Sequence, residues 1–401
     1  MTTPERFRRL WDTLLPVGRD PAGGWVRYGW SEADLACRRW FAEQAAARDL
    51  VVEADRNGNL FAWWGDPGAP GAVVTGSHLD SVPHGGAYDG PLGVVSALLA
   101  VDVLRERGVR PRRPLAIAVF AEEEGARFGV PCLGSRLLTG ALDPDHARTL
   151  RDRDGVSLAG AMAAAEVAPE GIGADPERLA RIGAFVELHI EQGRRLVELG
   201  APVGVASAIW PHGRWRLEIT GEGNHAGTTR MSDRRDPMLT AAYAVLAANK
   251  EARLRGCHAT VGRVEVTPNA TNAVPASVVA WLDARAPDQA ALQALVEAVR
   301  VRVTERAGRD GTAVTMTAES VTPPVEFDAG LRERLSELLA APVLPTAAGH
   351  DAGVLAAHVR AAMLFVRNPT GVSHAPGEGA TDEDCAAGVA ALADVLADLT
   401  G

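Results

Sequence analysis

Cysteine is scarce in this chain of 401 residues: Cys37, Cys132, Cys257 and Cys385 lie far apart and form no Cys-x-x-Cys pair. That spacing argues against a disulfide framework or a cysteine zinc site and leaves reduced, buried thiols as the expectation. Long apolar runs are also missing. None reaches the ~20 residues of a bilayer-spanning helix, and the opening Met-Thr-Thr-Pro-Glu-Arg-Phe-Arg-Arg has neither a sustained apolar region nor a cleavage signal. A cytoplasmic protein with no membrane partner is expected. Positive charge is in deficit, with 41 Lys and Arg against 51 Asp and Glu and a net charge of −10, which disfavours nucleic acid as a partner. Internal repeats and low-complexity tracts are absent, and the abundant alanines read as helix formers. What remains is an ordinary globular balance, 47% hydrophobic and 23% charged, at a length that suggests two domains.

The first half alternates apolar runs with amphipathic stretches. Ala72–Thr75 and Leu115–Phe120 read as buried strands, and Val94–Arg107 reads as a helix stopped by Gly108. This pattern predicts an α/β fold, a central mixed sheet flanked by helices. Both strands run directly into polar motifs, where sites of such sheets gather. From residue 212 the order becomes β-α-β-β-α-β, with strands at Trp215–Thr220, Thr260–Val266, Val278–Ala284 and Ala313–Thr317. Helices open at Asp236-Pro237 and Asp288 and run to about Arg253 and Arg306. That is the order of a ferredoxin-like unit. Pro323-Pro324 marks a return to the first pattern, with a strand at Met363–Val366 and a last helix from Asp382. The expected organisation is a catalytic metal-binding domain, 1–211 and 322–401, interrupted by an inserted lid and dimerisation domain, 212–321.

His78, Asp89, Glu123, Glu124, His189 and His374 each sit beside glycine or at the end of an apolar run. Singly, they have ordinary readings: turn residues in a glycine-rich loop, a solvated acidic turn, a core histidine. Jointly they form a nitrogen and oxygen donor set suited to zinc or manganese, with cobalt and nickel as further metals of similar preference. A pair of such ions acidifies water near neutral pH, so the set points to a metal-dependent hydrolase. His78 and Asp80 stand two apart and point the same way in extended backbone. The expectation is that His78 binds metal while the Asp80 carboxylate takes its other ring N–H. Within Glu122–Glu124, one carboxylate is needed as ligand and another as general base. Gln192, after His189, can donate or accept near a substrate.

The joint pattern resembles the dinuclear-metal amidohydrolase and exopeptidase family, in the branch of N-carbamoyl-L-amino acid hydrolases, allantoate amidohydrolases and β-ureidopropionases. The segments that carry the likeness are Gly76-Ser-His-Leu-Asp-Ser-Val, Gly86-Ala-Tyr-Asp-Gly-Pro-Leu-Gly-Val and Glu123-Glu-Gly-Ala-Arg-Phe. They continue with Glu187-Leu-His-Ile-Glu-Gln-Gly, Gly223-Asn-His-Ala-Gly-Thr-Thr, Pro268-Asn-Ala-Thr-Asn-Ala-Val-Pro and Gly371-Val-Ser-His-Ala-Pro. The resemblance implies that His78 and His189 hold one divalent ion, Glu124 and His374 the other, with Asp89 between them and Glu123 as general base. It further implies that His225 stabilises an oxyanion across a homodimer formed by the inserted domain, and that Asn272 and Arg285 grip a substrate carboxylate. His189 separates this branch from the peptidases, which commonly place an acid there, so a dipeptidase is the weaker reading. A metal-binding protein without catalysis would be expected to lack Glu123 or a ligand, and none is missing. Pro211-His212-Gly213 and Arg230 depart from the resembled pattern, which bears on substrate choice between N-carbamoyl-L-amino acids, allantoate and β-ureidopropionate.

Overall fold

The computed structural model describes residues 2–401, which divide into two compact units: 2–208 with 326–401, and 209–325. In the first unit, strands run in the spatial order Val51–Ala54, Leu60–Trp64, Leu115–Phe120, Ala72–His78, Ile182–Ile190, Arg360–Val366 and Val203–Ile209. The Val325–Glu326 strand follows, and Val343–Thr346 pairs beside Val203–Ile209. The sheet is mixed. Leu115–Phe120, Ala72–His78, Ile182–Ile190 and Arg360–Val366 are mutually parallel, while Leu60–Trp64 and Val203–Ile209 flank them antiparallel.

Side-chain alternation divides the core between the two faces. Leu115, Ile117 and Val119 join Val186, Leu188 and Leu364 under the helices Thr3–Leu14, Pro91–Glu106 and Asp382–Thr400. The alternate residue Phe120 meets both Phe61 and Phe185 edge-on, with ring centroids 6.4 and 5.7 Å apart. With both faces covered, Ala72–His78 and Leu115–Phe120 are buried along their whole length. Because the four parallel strands share a direction, their carboxyl ends open onto one edge, and chemistry gathers there. Among the described residues no helix is long and apolar enough to cross a membrane.

The second unit is a four-stranded antiparallel sheet in the order Ala313–Thr322, His212–Thr220, Ser277–Arg285, His258–Thr267. The helices Pro237–Arg255 and Gln289–Asp310 supply Ala244, Ala248, Leu292, Leu295 and Val299 to a core with Trp215, Leu217 and Leu282. Asp236 and Asp288 cap the two helices through Met238 N and Ala291 N. Both run past the ends read from the sequence, to Arg255 and Asp310, because the left-handed glycines that stop them are Gly256 and Gly311.

Candidate metal centre

His78 ends the Ala72–His78 strand, Glu123 and Glu124 follow Leu115–Phe120, His189 lies on Ile182–Ile190, and His374 follows Arg360–Val366. Each of the four parallel strands thus contributes from its carboxyl end. Asp89 arrives on the loop before the Pro91–Glu106 helix, whose N-cap is Gly90. Gly90 has φ +83°, and a Cβ there would stand 2.5 Å from the His78 ring, so only glycine lets the helix start this close.

Asp89 stands in the middle. Its Oδ1 is 3.5 Å from His78 Nε2 and 3.2 Å from His189 Nε2. Its Oδ2 is 3.4 Å from His374 Nε2, which in turn is 3.4 Å from Glu124 Oε2. Around Asp89 two donor groups result, His78–Asp89–His189 and Asp89–Glu124–His374, joined through its carboxylate, while Glu187, His189 and His350 form a third. Glu123 lies alongside, with Oε2 3.6 Å from His78 Nε2 and Oε1 accepting from the Cys132 thiol at 3.2 Å.

Three observations fit this set to cations. His78 Nε2 and His189 Nε2 are buried without a hydrogen-bond partner, a state that costs free energy unless something electrophilic meets the lone pair. Their Nδ1 atoms face backbone carbonyls, of Asp80 at 3.1 Å and of Ile190 at 2.9 Å, which puts the proton on Nδ1 and leaves Nε2 free to ligate. Negative charge is also crowded. Burial, reinforced by Asp89, pushes the Glu124 carboxyl up to about 7, and burial raises Glu123 well above the usual range against the pull of His78. The hydrogen bond to Asp89, opposed by burial and aided by Glu124, lifts His374 to about 9. Protons are retained where cations would serve the same carboxylates.

Asp80 corrects one expectation. The His78 ring bonds its backbone carbonyl, while its carboxylate oxygen is 3.6 Å away. The carboxylate instead accepts from the N–H groups of Glu123 and Glu124, at 3.1 and 3.0 Å. Glu122 turns the other way, at φ +53°, and accepts from the N–H groups of Gly29, Arg127 and Phe128. Gln192 donates one N–H of Nε2 to Asp89 Oδ2 at 2.8 Å, and its buried Oε1 has no hydrogen-bond partner.

Further residues border these groups without a motif that announces their part. His350 packs edge-on against His189 with centroids 4.5 Å apart, and its buried Nε2 has no partner. Burial, and then the charge on His189, hold its imidazole well below the usual range. Glu187 accepts from Ser77 Oγ and Ala352 N, and Glu378 accepts from Tyr88 N and Asp89 N. The His350-Asp351 dipeptide before a short helix was the available signal for the first of these.

His225, Asn272 and Arg285 lie in the second unit. His225 pairs opposite Ala273, and Ala226 N donates to the Asn272 carbonyl at 3.0 Å, so these two segments are neighbours. Arg285 is placed apart from them. It ends the Ser277–Arg285 strand, roughly 26 Å from Ser277 at ~3.3 Å per residue, and Asn272 precedes the Ser277 end. Arg285 donates Nε to Asp283 at 2.9 Å and stands in register with His212. Arg230 caps a short 3-10 turn at the surface.

Residues 74–398 match the peptidase family M20/M25/M40. The chain belongs to this family. The hydrolase is 37% identical over 398 residues to the N-carbamoyl-L-amino acid amidohydrolase of Geobacillus stearothermophilus, covering 96% of both chains. It is 34% identical to the allantoate amidohydrolase of Escherichia coli K12, covering 97% of both. Its fold superposes on the hydantoinase/carbamoylase family amidase of Burkholderia multivorans with a TM-score of 0.85 at 28% identity, covering 99% of this chain and 98% of that one. This M20/M25/M40 member is an amidohydrolase, an enzyme of C–N bonds in linear amides.

Proposed function

We propose that this amidohydrolase cleaves the ureido C–N bond of N-carbamoyl-L-amino acids, with allantoate as the competing substrate. The position of Asp89 between the two donor groups, with Glu123 beside His78, carries the reading. His78, His189 and Asp89 would hold one zinc or manganese ion and Asp89, Glu124 and His374 the other, and such ions would supply positive charge to polarise a carbonyl and acidify water. Glu123 is the general base: it takes a proton from water and passes it to the leaving nitrogen. The Cys132 thiol engages Oε1, so Oε2 faces the cation side. His350, kept neutral by burial, presents a ring nitrogen to the same space.

His225 is suited to stabilise a developing oxyanion. Its Nδ1 accepts from the N–H groups of Gly227 and Thr228, at 3.0 and 3.2 Å, so the ring proton sits on Nε2 and is available to donate. Such a donor is worth roughly 3–4 kcal/mol of barrier. Arg285, whose guanidinium is paired with Asp283, would turn that fork, and Asn272 its amide, to the substrate carboxylate.

The distance between Asn272 and Arg285 within one chain is too large for one small acid to touch both. This supports a homodimer in which His225 and Asn272 of one copy serve the metal site of the other. The His258–Thr267 strand is a sheet edge, and beside it the Pro237–Arg255 helix exposes Leu239, Leu246 and Leu254 at 46%, 68% and 67%. An open edge beside exposed leucines suits pairing with a second copy. Four free, buried cysteines fit a cytoplasmic setting.

The test is a screen of the manganese- and zinc-reconstituted protein against N-carbamoyl amino acids, allantoate, β-ureidopropionate and dipeptides. Release of amino acid from N-carbamoyl substrates in preference to the others is expected. Turnover confined to dipeptides would refute the proposal.

A further inference from the structure

We propose that Glu378 is the positioning residue that fixes Asp89 between the two cation sites, an inference that rests on the two-cation reading above. Glu378 lies four residues after His374 in the loop that supplies that histidine. Its side chain is buried, and a single oxygen, Oε1, accepts from two successive peptide N–H groups, of Tyr88 at 2.8 Å and Asp89 at 2.9 Å. The two loops are 289 residues apart in sequence at the Asp89 contact. Gly86 makes the approach possible, since a Cβ there would stand 2.3 Å from Oε1 and 2.4 Å from Cδ.

The other oxygen, Oε2, is buried with no hydrogen-bond partner. A buried carboxylate beside another carboxylate is a poor way to stabilise a core, and apolar residues of similar volume commonly do better. The arrangement makes sense as a device for placement. With its peptide held by Glu378, Asp89 keeps only its side-chain torsions free. Gln192 Nε2 at 2.8 Å and Ser373 Oγ at 3.3 Å then hold Oδ2, while Oδ1 is left to face His78 and His189. The loop that carries one ligand of the second group therefore also sets the carboxylate shared with the first.

The experiment titrates manganese into metal-stripped wild type, Glu378→Ala, Glu378→Gln and Gly86→Ala by calorimetry. Hydrogen exchange of the peptide containing Tyr88 and Asp89 is followed in the metal-free proteins. Glu378→Ala is expected to weaken the looser ion at least ~10-fold, the scale for removing a group that orients a ligand, and to speed exchange at Tyr88–Asp89. Glu378→Gln keeps an oxygen able to accept both N–H groups, so it should titrate closer to wild type than to alanine. Gly86→Ala, which pushes the loop off an intact glutamate, should reproduce the loss even if Glu378→Ala does not fold. Two ions bound with wild-type affinity by Glu378→Ala or Gly86→Ala would overturn the role, as would a Gln variant no better than Ala. Fewer than two ions in the wild type would instead overturn the two-cation reading itself, and this role with it.

Discussion

Asp80→Asn separates two accounts of the same aspartate. Its carboxylate, 1% exposed, holds the N–H groups of Glu123 and Glu124 at 3.1 and 3.0 Å, whereas His78 is held by its backbone carbonyl. Hydrogen bonds to a charged acceptor contribute about 1.5–3 kcal/mol each, and neutral ones about 1. The asparagine oxygen can keep one N–H at neutral strength, while its NH2 faces the other N–H, which loses its partner. The charge on Asp80 also raises Glu122 and Glu123, after the larger effect of burial, so neutralising it returns part of the loss. The expected destabilisation of the metal-free protein is about 2–4 kcal/mol, read from urea unfolding. A shift of Glu123 by ~1 Å would lower kcat about 100-fold. The ion at His78 and His189 should remain while the one at Glu124 and His374 weakens, which anomalous diffraction from metal-soaked crystals resolves. An unchanged unfolding midpoint and kcat would refute this reasoning, and so would loss of the His78-side ion first.

The two neighbouring glutamates should respond differently: Glu123→Gln keeps both ions in metal analysis and loses turnover, while Glu124→Gln loses metal. A reversal would move both assignments by one residue. His374→Ala should retain one ion per chain by mass spectrometry under native conditions and lose nearly all activity, and full activity in chelator-treated wild type would contradict the cation chemistry altogether. Mixing inactive His225→Ala with inactive Glu123→Gln should restore part of the activity after subunit exchange. No recovery would put His225 to work within its own chain. Leu246→Glu should yield monomers in sedimentation analysis with the fold intact by circular dichroism, since Leu246 is 68% exposed; an unchanged dimer would place the interface elsewhere.

Three of the four parallel strands, all but Ile182–Ile190 with its interrupting Glu187 and His189, were legible because each is a short apolar run that leads into a polar motif, so periodicity and chemistry point to one edge. His78, Asp89, Glu124, His189 and His374 converge there. The roles of Asp80 and Glu378 were hidden for a common reason. Each acts on backbone N–H groups distant in sequence, a bond that needs no particular partner residue and leaves no spacing to read. Glu122 looked like part of the acidic run, but its positive φ turns it toward Gly29 and Phe128, a reversal no local pattern announces. The separation of Asn272 from Arg285 follows from strand length, which the sequence understated at both ends.

The backbone clamps that Asp80, Glu378 and Glu187 place around the ligands have a consequence for how metal enters. In many small metal sites the ion gathers the chain, and folding and loading are one event. Here the loops are tied to one another by carboxylate bonds to protein N–H and O–H groups, ties that need no ion, so metal-stripped protein is expected to keep its fold. Cations would then exchange on a folded enzyme. With imidazole and carboxylate donors that several first-row metals accept, which ion occupies such a site would follow from what the surroundings supply rather than from the history of the chain's folding.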